Sequence, residues 1–333
     1  MVHRIDIKVL ATFTALSLLF SFSSFGKTVV IVDKLGRRVE VEAPAKRAII
    51  VISYELIPSL NIWNQVVGVS RWADEICGVY KAWYGINPAL RKPTVGTGTD
   101  INVETVLKLK PDVFITWTYS EAVIYFLQNK GIRVIGMYPE SLTELLSDIR
   151  MHGLLFGKEK KSEEVIASME EYLNIIRKRI EGIPSGQRKK VVHLGGSPTR
   201  VSGGIGVTND MLVMAGGLNV AGHINQRNVD VPIERLIEWN PDIIFIWGSA
   251  RYDESSIKNS SQWKSIKAVK EGNVYKLPRW STWSPRLAPT VLYMAMRIYP
   301  EYFRDVNFED ITDKFYKKVF GVSYQQVIMH ENN

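Results

Sequence analysis

The sequence predicts an α/β protein of two lobes, each with a mainly parallel sheet flanked by helices, bridged by one long helix. Three observations lead to this fold class. Short apolar runs alternate with helix-like segments, a charged amphipathic segment interrupts the alternation near the middle, and one helix-to-strand unit occurs twice. The 333 residues, 46% hydrophobic and 23% charged, have the length and the composition of two globular domains.

Strands are predicted where apolar residues follow one another in a short run, and helices where they recur at helical spacing. In the first half the predicted strands are 48–52, 66–69, 113–117 and 134–137, and the predicted helices are 56–63, 103–109, 122–129 and 142–156. In the second half the predicted strands are 190–194, 243–247 and 274–277, and the predicted helices are 211–215, 233–239 and 287–299. Strands that alternate with helices are typical of parallel sheets covered by helices.

The segment 158–181 is highly charged and carries one narrow apolar stripe at helical spacing. The stripe consists of Val165, Met169, Tyr172, Leu173, Ile176 and Ile180. Gly182 and Pro184 follow the stripe and end the helix. Because a long helix of this type suits a stiff spacer, we expect an N-terminal lobe at 27–157, a bridging helix at 158–182 and a C-terminal lobe at 183–333.

Each lobe is expected to contain the same helix-to-strand unit. The first copy runs from Glu104 to Trp117 and the second from Glu234 to Trp247, with Glu, Pro-Asp and Trp at matching places. Proline cannot continue the helix, so it fixes the turn before each strand. The repetition predicts two lobes of similar construction.

Residues 1–26 have the pattern of a secretory signal peptide. Arg4 and Lys8 lie in a basic start, 9–22 is an apolar stretch, and Gly26 ends a group suited to signal peptidase. We expect cleavage after Gly26 and a periplasmic or other extracytoplasmic location. The alternative is an uncleaved membrane anchor, although the stretch is shorter than the roughly 20 apolar residues that span a bilayer.

The residue types argue against several classes of function. The net charge of +8 hints at anionic partners, but no Lys/Arg-rich run of the kind that binds nucleic acid occurs. The glycines at 203–206 complete no nucleotide-binding motif, and the histidines at 152, 193 and 223 lack metal-ligand spacing. We therefore expect no catalytic residues, no metal ligands and no cofactor, and a structural or incidental role for Cys77. A secreted two-domain enzyme is the alternative from another class.

Aromatic residues follow several predicted strands, at the edge where open parallel sheets bind ligands. The candidate ligand-binding residues are Trp72, Trp117, Trp247 and Arg251 after strands, and Trp280, Trp283 and Arg286 in a proline-bounded loop. An aromatic wall with a few arginines suits a large, flat, partly anionic ligand, and a metal already wrapped in a chelator fits that description. The alternative for each tryptophan is that it caps its own core.

Several short motifs occur in an order that resembles a known family. They are 31–37, Ser53 with Glu55, 67–70, the two helix-to-strand units, 210–221 and Ser284-Pro285-Arg286. Together they resemble the class III substrate-binding proteins of ABC importers for siderophores, haem and cobalamin. The resemblance covers nearly all of the mature chain and implies a ligand cleft between the lobes with small hinge motion.

The resemblance also implies roles for particular residues. Trp72 and Trp117 match cleft aromatics, and Glu104 and Glu234 match surface glutamates that meet arginines of a permease dimer. The expected protein is a monomer that captures an iron chelate of the siderophore type; cobalamin, haem and other metal chelates are the alternatives. For the two glutamates the alternative is a favourable interaction with the helix dipole.

Overall fold

The first lobe is built on a four-stranded parallel sheet. The computed structural model describes residues 26–331, so the predicted signal peptide, except for Gly26, lies outside the described residues. The elements of this lobe are β1 (Lys27–Val32), β2 (Arg38–Ala43), β3 (Ala48–Ile50), α1 (Leu56–Leu60), β4 (Val66–Val69), α2 (Arg71–Ile76), α3 (Gly78–Ile86), α4 (Val103–Leu109), β5 (Val113–Trp117), α5 (Glu121–Asn129), β6 (Arg133–Met137) and α6 (Leu142–Phe156). The sheet order is β4-β3-β5-β6, and β1 and β2 form an antiparallel hairpin that packs against β6 and α6.

The second lobe follows the long helix α7 (Glu159–Ile180). Its elements are β7 (Lys190–Leu194), β8 (Arg200–Ser202), α8 (Val207–Met214), β9 (Leu218–Asn219), β10 (Asn228–Asp230), α9 (Ile233–Trp239), β11 (Ile243–Ile246), α10 (Glu254–Lys258), α11 (Lys267–Lys270), β12 (Val274–Lys276), α12 (Leu287–Ile298), α13 (Phe308–Phe320) and α14 (Tyr324–Ile328). The order is β10-β8-β7-β11-β12, in which β7, β11, β12 and the short β9 are parallel and β8 and β10 add an antiparallel edge. The predicted fold class is confirmed.

The helix α7 bridges the two lobes. It has 22 residues and is therefore about 33 Å long. Its buried stripe packs against α1 and α6 of the first lobe and against α8 and α12 of the second. It contains neither proline nor glycine, the usual causes of a sharp kink. A continuous helix buried by both lobes limits how far they can move apart.

The last two helices do not follow the predicted division of the chain at 183–333. α13 packs against α1 and α7, and α14 packs against α3. The indole Nε1 of Trp83 donates to the carbonyl oxygen of Phe320 at 2.7 Å, and Lys81 Nζ donates to that of His330 at 3.1 Å. Residues 308–331 therefore complete the first lobe, although they come last in the chain.

None of the helices within residues 26–331 has the length and apolar character needed to cross a bilayer.

The repeated unit has the same geometry in both lobes. α4 and α9 each end at a residue in the left-handed conformation, Lys110 with φ 47° and Asn240 with φ 45°. This is a common helix ending, and the prolines that follow, Pro111 and Pro241, prevent a further helical turn. The chain then enters β5 in one lobe and β11 in the other.

The aspartate of each Pro-Asp pair fastens the start of the neighbouring strand. Asp112 Oδ2 accepts hydrogen bonds from the backbone N–H groups of Lys46 at 2.7 Å and Arg47 at 3.0 Å, just before β3. Asp242 Oδ2 accepts from the backbone N–H of Lys190 at 2.7 Å, at the start of β7. Burial alone would raise the pKa of Asp242, but hydrogen bonds from the Lys267 ammonium and the Lys190 backbone lower it. The repeated Pro-Asp pair therefore ends a helix and anchors a strand.

Replacement of Asp112 by alanine should destabilise the first sheet, because two backbone donors before β3 lose their acceptor. We expect the free energy of unfolding, measured by urea denaturation, to fall by about 1–3 kcal/mol. Glu42→Ala removes an exposed acid from β2 and should change it by less than about 0.5 kcal/mol. Equal losses in the two variants would contradict the anchoring role.

Candidate functional site

Four aromatic rings meet at the carboxyl edge of the first sheet. Trp117 ends β5, Tyr119 follows it, Tyr138 follows β6, and Trp283 comes from the loop between β12 and α12. Trp117 stacks on Tyr119 with ring centres 5.1 Å apart, and it meets Trp283 at 5.0 Å and 89° and Tyr138 at 5.7 Å. These four residues form what we name the aromatic cluster. Because β5 and β6 are parallel neighbours, residues that follow them are brought to the same edge.

Trp117 lies at the centre of the aromatic cluster and has an unused hydrogen-bond donor. The residue is 5% exposed, and its Nε1 has no partner among the described residues. Gly98 lies against the ring: a Cβ atom there would come within 2.5 Å of Cδ1 of Trp117. Glycine therefore permits the backbone to approach the indole closely. A buried indole N–H without a partner is rare in folded proteins, and an acceptor can reach this one only when the rings around it shift.

The loop that carries Trp283 crosses from the second lobe to the first. The indole Nε1 of Trp283 donates to the carbonyl oxygen of Pro139 at 3.1 Å. Its own carbonyl oxygen accepts a hydrogen bond from Ser53 Oγ at 3.4 Å. Both partners follow strands of the first sheet. Trp283 is therefore a second-lobe residue whose ring is held by the first lobe.

Arg227 brings a positive charge to the aromatic cluster from the second lobe. Its guanidinium carbon lies 4.4 Å from the ring centre of Tyr138, and its Nε donates to Glu140 Oε1. A hydrogen bond from Arg227, and to a smaller extent one from Lys34, holds the pKa of Glu140 below its ordinary value. Partial burial and the neighbouring Tyr138 raise the pKa of Tyr119, so its hydroxyl keeps its proton and can donate. The cluster thus combines aromatic faces with donors and one arginine.

Sequence reasoning missed Arg227, Tyr119, Tyr138 and Glu140. Tyr138 and Glu140 directly follow a predicted strand, so the strand-end argument applied to Trp117 could have found them. Arg227 lies in a polar loop before β10, a short antiparallel strand that was not predicted. Nothing in the local sequence distinguishes it from other exposed arginines.

The other predicted residues at strand ends lie apart from the aromatic cluster. Trp247 follows β11 and is 46% exposed, and Arg251 is also exposed, so both are open at the carboxyl edge of the second sheet. Trp72 lies on α2 and packs partly buried against the core of the first lobe. Within residues 26–331, no ring contact joins Trp72 or Trp247 to the cluster. As ligand contacts these residues stay predictions.

Arg286 and Trp280 lie inside the protein, contrary to the expectation of an exposed loop platform. Arg286 is 1% exposed and pairs with Glu55 and with Glu331. Trp280 is 7% exposed; its Nε1 donates to Glu331 Oε2 at 2.9 Å, and its ring stacks on Phe308. Their polar groups are already paired, so in this structure neither faces a ligand. Of the loop residues predicted to bind, only Trp283 reaches the aromatic cluster.

Three further chemically active side chains, His152, His193 and Cys77, are buried. Burial lowers the pKa values of His152 and His193 to about 4, so both rings are neutral at pH 7. The Cys77 thiol donates to Glu55 Oε1 at 3.3 Å, and burial, followed by the charge of Glu55, raises its pKa well above the ordinary value. In the described part of the chain no group of three or more His, Cys, Asp or Glu side chains is placed to hold a metal ion.

Two grooves lie on the described part of the protein, and one of them borders the aromatic cluster. One, of about 670 Å³, lies along α7 between α6 and α8, and the other, of about 530 Å³, lies between β1, β6 and α6. Tyr138 lines the second groove, but Trp117, Tyr119 and Trp283 line neither of the two. The strand-end geometry, rather than either groove, therefore points to the functional site.

Gly98→Ala should disturb the aromatic cluster, because the added methyl group would displace the Trp117 ring or the loop beside it. We expect the near-ultraviolet circular dichroism of the stacked rings to change and the free energy of unfolding to fall by about 1–3 kcal/mol. At Gly196 an added Cβ meets nothing within 4 Å, so Gly196→Ala is the matched control. Indistinguishable spectra for Gly98→Ala and the wild type would show that the close approach is not required.

Comparison with known proteins agrees with this fold. A family model described as periplasmic binding protein matches residues 52–279. The chain is 24% identical over 337 residues to the molybdate-binding protein MolA of Haemophilus influenzae, covering 92% of this chain and 94% of MolA. It is 28% identical over 196 residues to the high-affinity heme uptake protein IsdE of Staphylococcus aureus, covering 56% of this chain and 66% of IsdE.

Solved structures show the same architecture. The crystal structure of Helicobacter pylori CeuE in complex with Ni-His superposes with a TM-score of 0.79 at 26% identity, covering 91% of this chain and 99% of CeuE. Because the family model spans more than half of the sequence and the fold matches along almost its whole length, the chain belongs to the periplasmic binding protein family, the substrate-binding proteins of ABC importers.

Proposed function

We propose that this protein captures a metal chelate of the siderophore type in the cleft between its lobes and delivers it to an importer in the membrane. The observation that carries the proposal is the aromatic cluster with the unpaired Nε1 of Trp117 at its centre. The relatives named above are described with molybdate, haem and Ni-His, so family membership alone leaves the ligand open.

The chemistry of the cluster favours an organic chelate over a bare oxyanion. Aromatic faces contribute dispersion and cation–π contacts to a large ligand, but they offer nothing to a small hydrated anion, which needs several converging N–H donors. Arg227 and Arg251 supply positive charge on the second-lobe side, and this charge would balance the negative charge of an anionic chelate. Trp247 adds an exposed ring on that side. This arrangement suits a ligand with an organic shell and a partial negative charge.

Secretion is part of the proposal, since capture in the periplasm or outside the membrane requires export. The basic start and apolar stretch before Gly26 support a cleaved signal peptide.

We further propose that Glu104 and Glu234 dock the protein on its permease dimer. Each is the second residue of a seven-residue helix, is exposed, and has no ion-pair partner in the described part of the chain. In α4 the capping hydrogen bond comes from Asn102 Oδ1, which accepts from the backbone N–H of Thr105 at 2.9 Å, so Glu104 is not needed for that purpose. Equivalent free carboxylates on the two lobes suit arginines on two permease subunits, and such charge pairs set orientation and encounter rate.

The ligand proposal predicts which member of a small panel of ligands binds. A ferric hydroxamate chelate, haemin, nickel with histidine, and molybdate are titrated against purified protein while tryptophan fluorescence is recorded. We expect the ferric hydroxamate to quench and bind, and Trp117→Phe to weaken that binding about three- to tenfold through loss of one hydrogen bond. Trp247→Ala should also weaken it, through loss of a ring contact.

Trp239 provides the matched control for these variants. It ends α9, before β11 begins, whereas Trp247 follows the carboxyl end of β11, so Trp239→Phe should leave affinity unchanged. Binding of molybdate alone would contradict the chelate proposal. Equal changes in affinity for Trp117→Phe and Trp239→Phe would show that the aromatic cluster is not part of the binding site. Mass spectrometry and visible absorption of protein purified from its native host identify the natural ligand.

The docking proposal predicts that charge reversal uncouples binding from transport. The double variant Glu104→Arg, Glu234→Arg should abolish chelate uptake by the native host while affinity for the chelate stays within about twofold, because both side chains lie on helices outside the cleft. The control is Glu159→Arg with Glu309→Arg, which also reverses exposed acids in the first turns of two helices. Normal uptake by the docking variant, or equal loss in the control, would leave only the helix-dipole explanation.

A further inference from the structure

A single carboxylate fastens both ends of the loop that carries Trp283. Glu331 Oε2 accepts the indole N–H of Trp280 at 2.9 Å, and Glu331 Oε1 accepts from Nη1 of Arg286. The Glu331 side chain is 7% exposed. Trp283 lies midway between these two anchors in sequence. The loop 280–286 is therefore held at its two ends by one residue that follows α14.

The first lobe is shaped to seat Glu331. A Cβ atom on Gly78 would come within 2.5 Å of Cγ of Glu331, so the position beside α3 is open only because residue 78 is glycine. Lys81, one turn further along α3, donates to the carbonyl oxygen of His330 at 3.1 Å. These contacts fix the backbone and the side chain at 330–331 against α3. The position of Glu331 is thus set by the first lobe rather than by the loop.

The charges explain why both carboxylates next to Arg286 are needed. Glu55 Oε1 accepts from Nε of Arg286 at 3.0 Å and also from Nη2. Nη1 is directed to Glu331. Loss of Glu331 would leave the Nη1 side of a fully buried guanidinium without its acceptor and would leave Trp280 Nε1 unpaired. Glu55 alone anchors one end of the loop, whereas Glu331 anchors both.

We infer that Glu331 is a positioning residue for the cleft: it holds the loop 280–286 so that the Trp283 ring stands perpendicular to Trp117. It touches no ligand itself and acts through Trp283. Its effect on the loop rests on the contacts above, and its effect on ligand affinity rests on the proposed function.

The first experiment needs no ligand. Hydrogen–deuterium exchange is followed in the full chain for the backbone amides of 280–287, among them Arg286 N, which donates to Ser284 Oγ at 3.1 Å. In Glu331→Gln we expect these amides to exchange about tenfold faster while those of β5 stay unchanged, since only the loop is released. Glu301→Gln, at an exposed glutamate before α13, is the matched control. Unchanged exchange over 280–287 in Glu331→Gln would overturn the inference.

The second experiment tests the path to the cleft with a ferric hydroxamate chelate as the probe. Glu331→Gln should weaken binding of the chelate about tenfold in the otherwise unchanged chain. In a Trp283→Ala chain the same substitution should weaken binding by less than about twofold, because Glu331 acts through Trp283. Equal losses in both chains would show that the effect bypasses Trp283 and would overturn the inference. Failure of the unchanged protein to bind this probe would count against the proposed ligand, while the exchange experiment would still decide the role of Glu331.

If Glu331→Gln does not fold, Glu331→Asp replaces it in both experiments. The shorter side chain keeps a negative charge near Arg286 but draws the carboxylate back from Trp280. Faster exchange at 280–287 is again the expected result, and wild-type exchange would overturn the inference.

Discussion

Arg286 holds a positive charge in the interior at the place where a second-lobe loop meets the first lobe. Loss of one partner from a buried ion pair typically lowers the stability of the fold by about 3–5 kcal/mol. The Arg286 guanidinium is 1% exposed, so the fold is stable only with its carboxylate partners beside it. Burial alone would lower the pKa of Arg286, but the charges of Glu331 and Glu55 raise it above its ordinary value. These three residues are far apart in sequence. Their pairing requires the first lobe, the loop before α12 and the segment after α14 to meet at one point.

The aromatic cluster depends on this junction. β5 and β6 bring Trp117 and Tyr138 to the carboxyl edge of the first sheet, but Trp283 reaches them only because its loop is drawn across from the second lobe. Gly98 then lets the backbone lie against the Trp117 indole. The resulting cluster combines ring faces with a buried, unpaired indole N–H.

Two kinds of connection join the lobes, and they differ in strength. α7 is a continuous helix whose apolar stripe is buried by both lobes, and this makes it a stiff connection. The pair between Arg227 and Glu140 is partly exposed, and exposed pairs of this kind are worth about 0–1 kcal/mol. Arg227 can therefore leave Glu140 at small cost, whereas the lobes cannot separate along α7. Ligand differences among relatives of the same fold are then expected to reside in the loops at the cleft.

The sequence by itself determined the fold class, because that information is local. Short apolar runs marked β4, β5 and β7 at their observed limits, and the repeated Pro-Asp unit located α4 and α9. It also placed Trp117 and Trp283 among the candidate residues, since strand ends and irregular loops can be recognised from neighbouring residues. The hairpin of β1 and β2 and the helices α2, α3 and α14 were not predicted, because their apolar patterns are short or mixed with polar residues. The helix α13 was also missed, although its apolar residues recur at helical spacing.

Tertiary structure decided which candidates join the aromatic cluster. Trp280 and Arg286 have the same local pattern as Trp283, yet they turn inward because Glu331 and Glu55 lie there to pair with them. Arg227 joins the site through a contact with Glu140, 87 residues earlier in the chain. Residues 308–331 pack on the first lobe because α1 and α3 offer the surface that they bury. Such long-range pairings depend on how the chain crosses between the lobes, and no local pattern of residue types encodes that path.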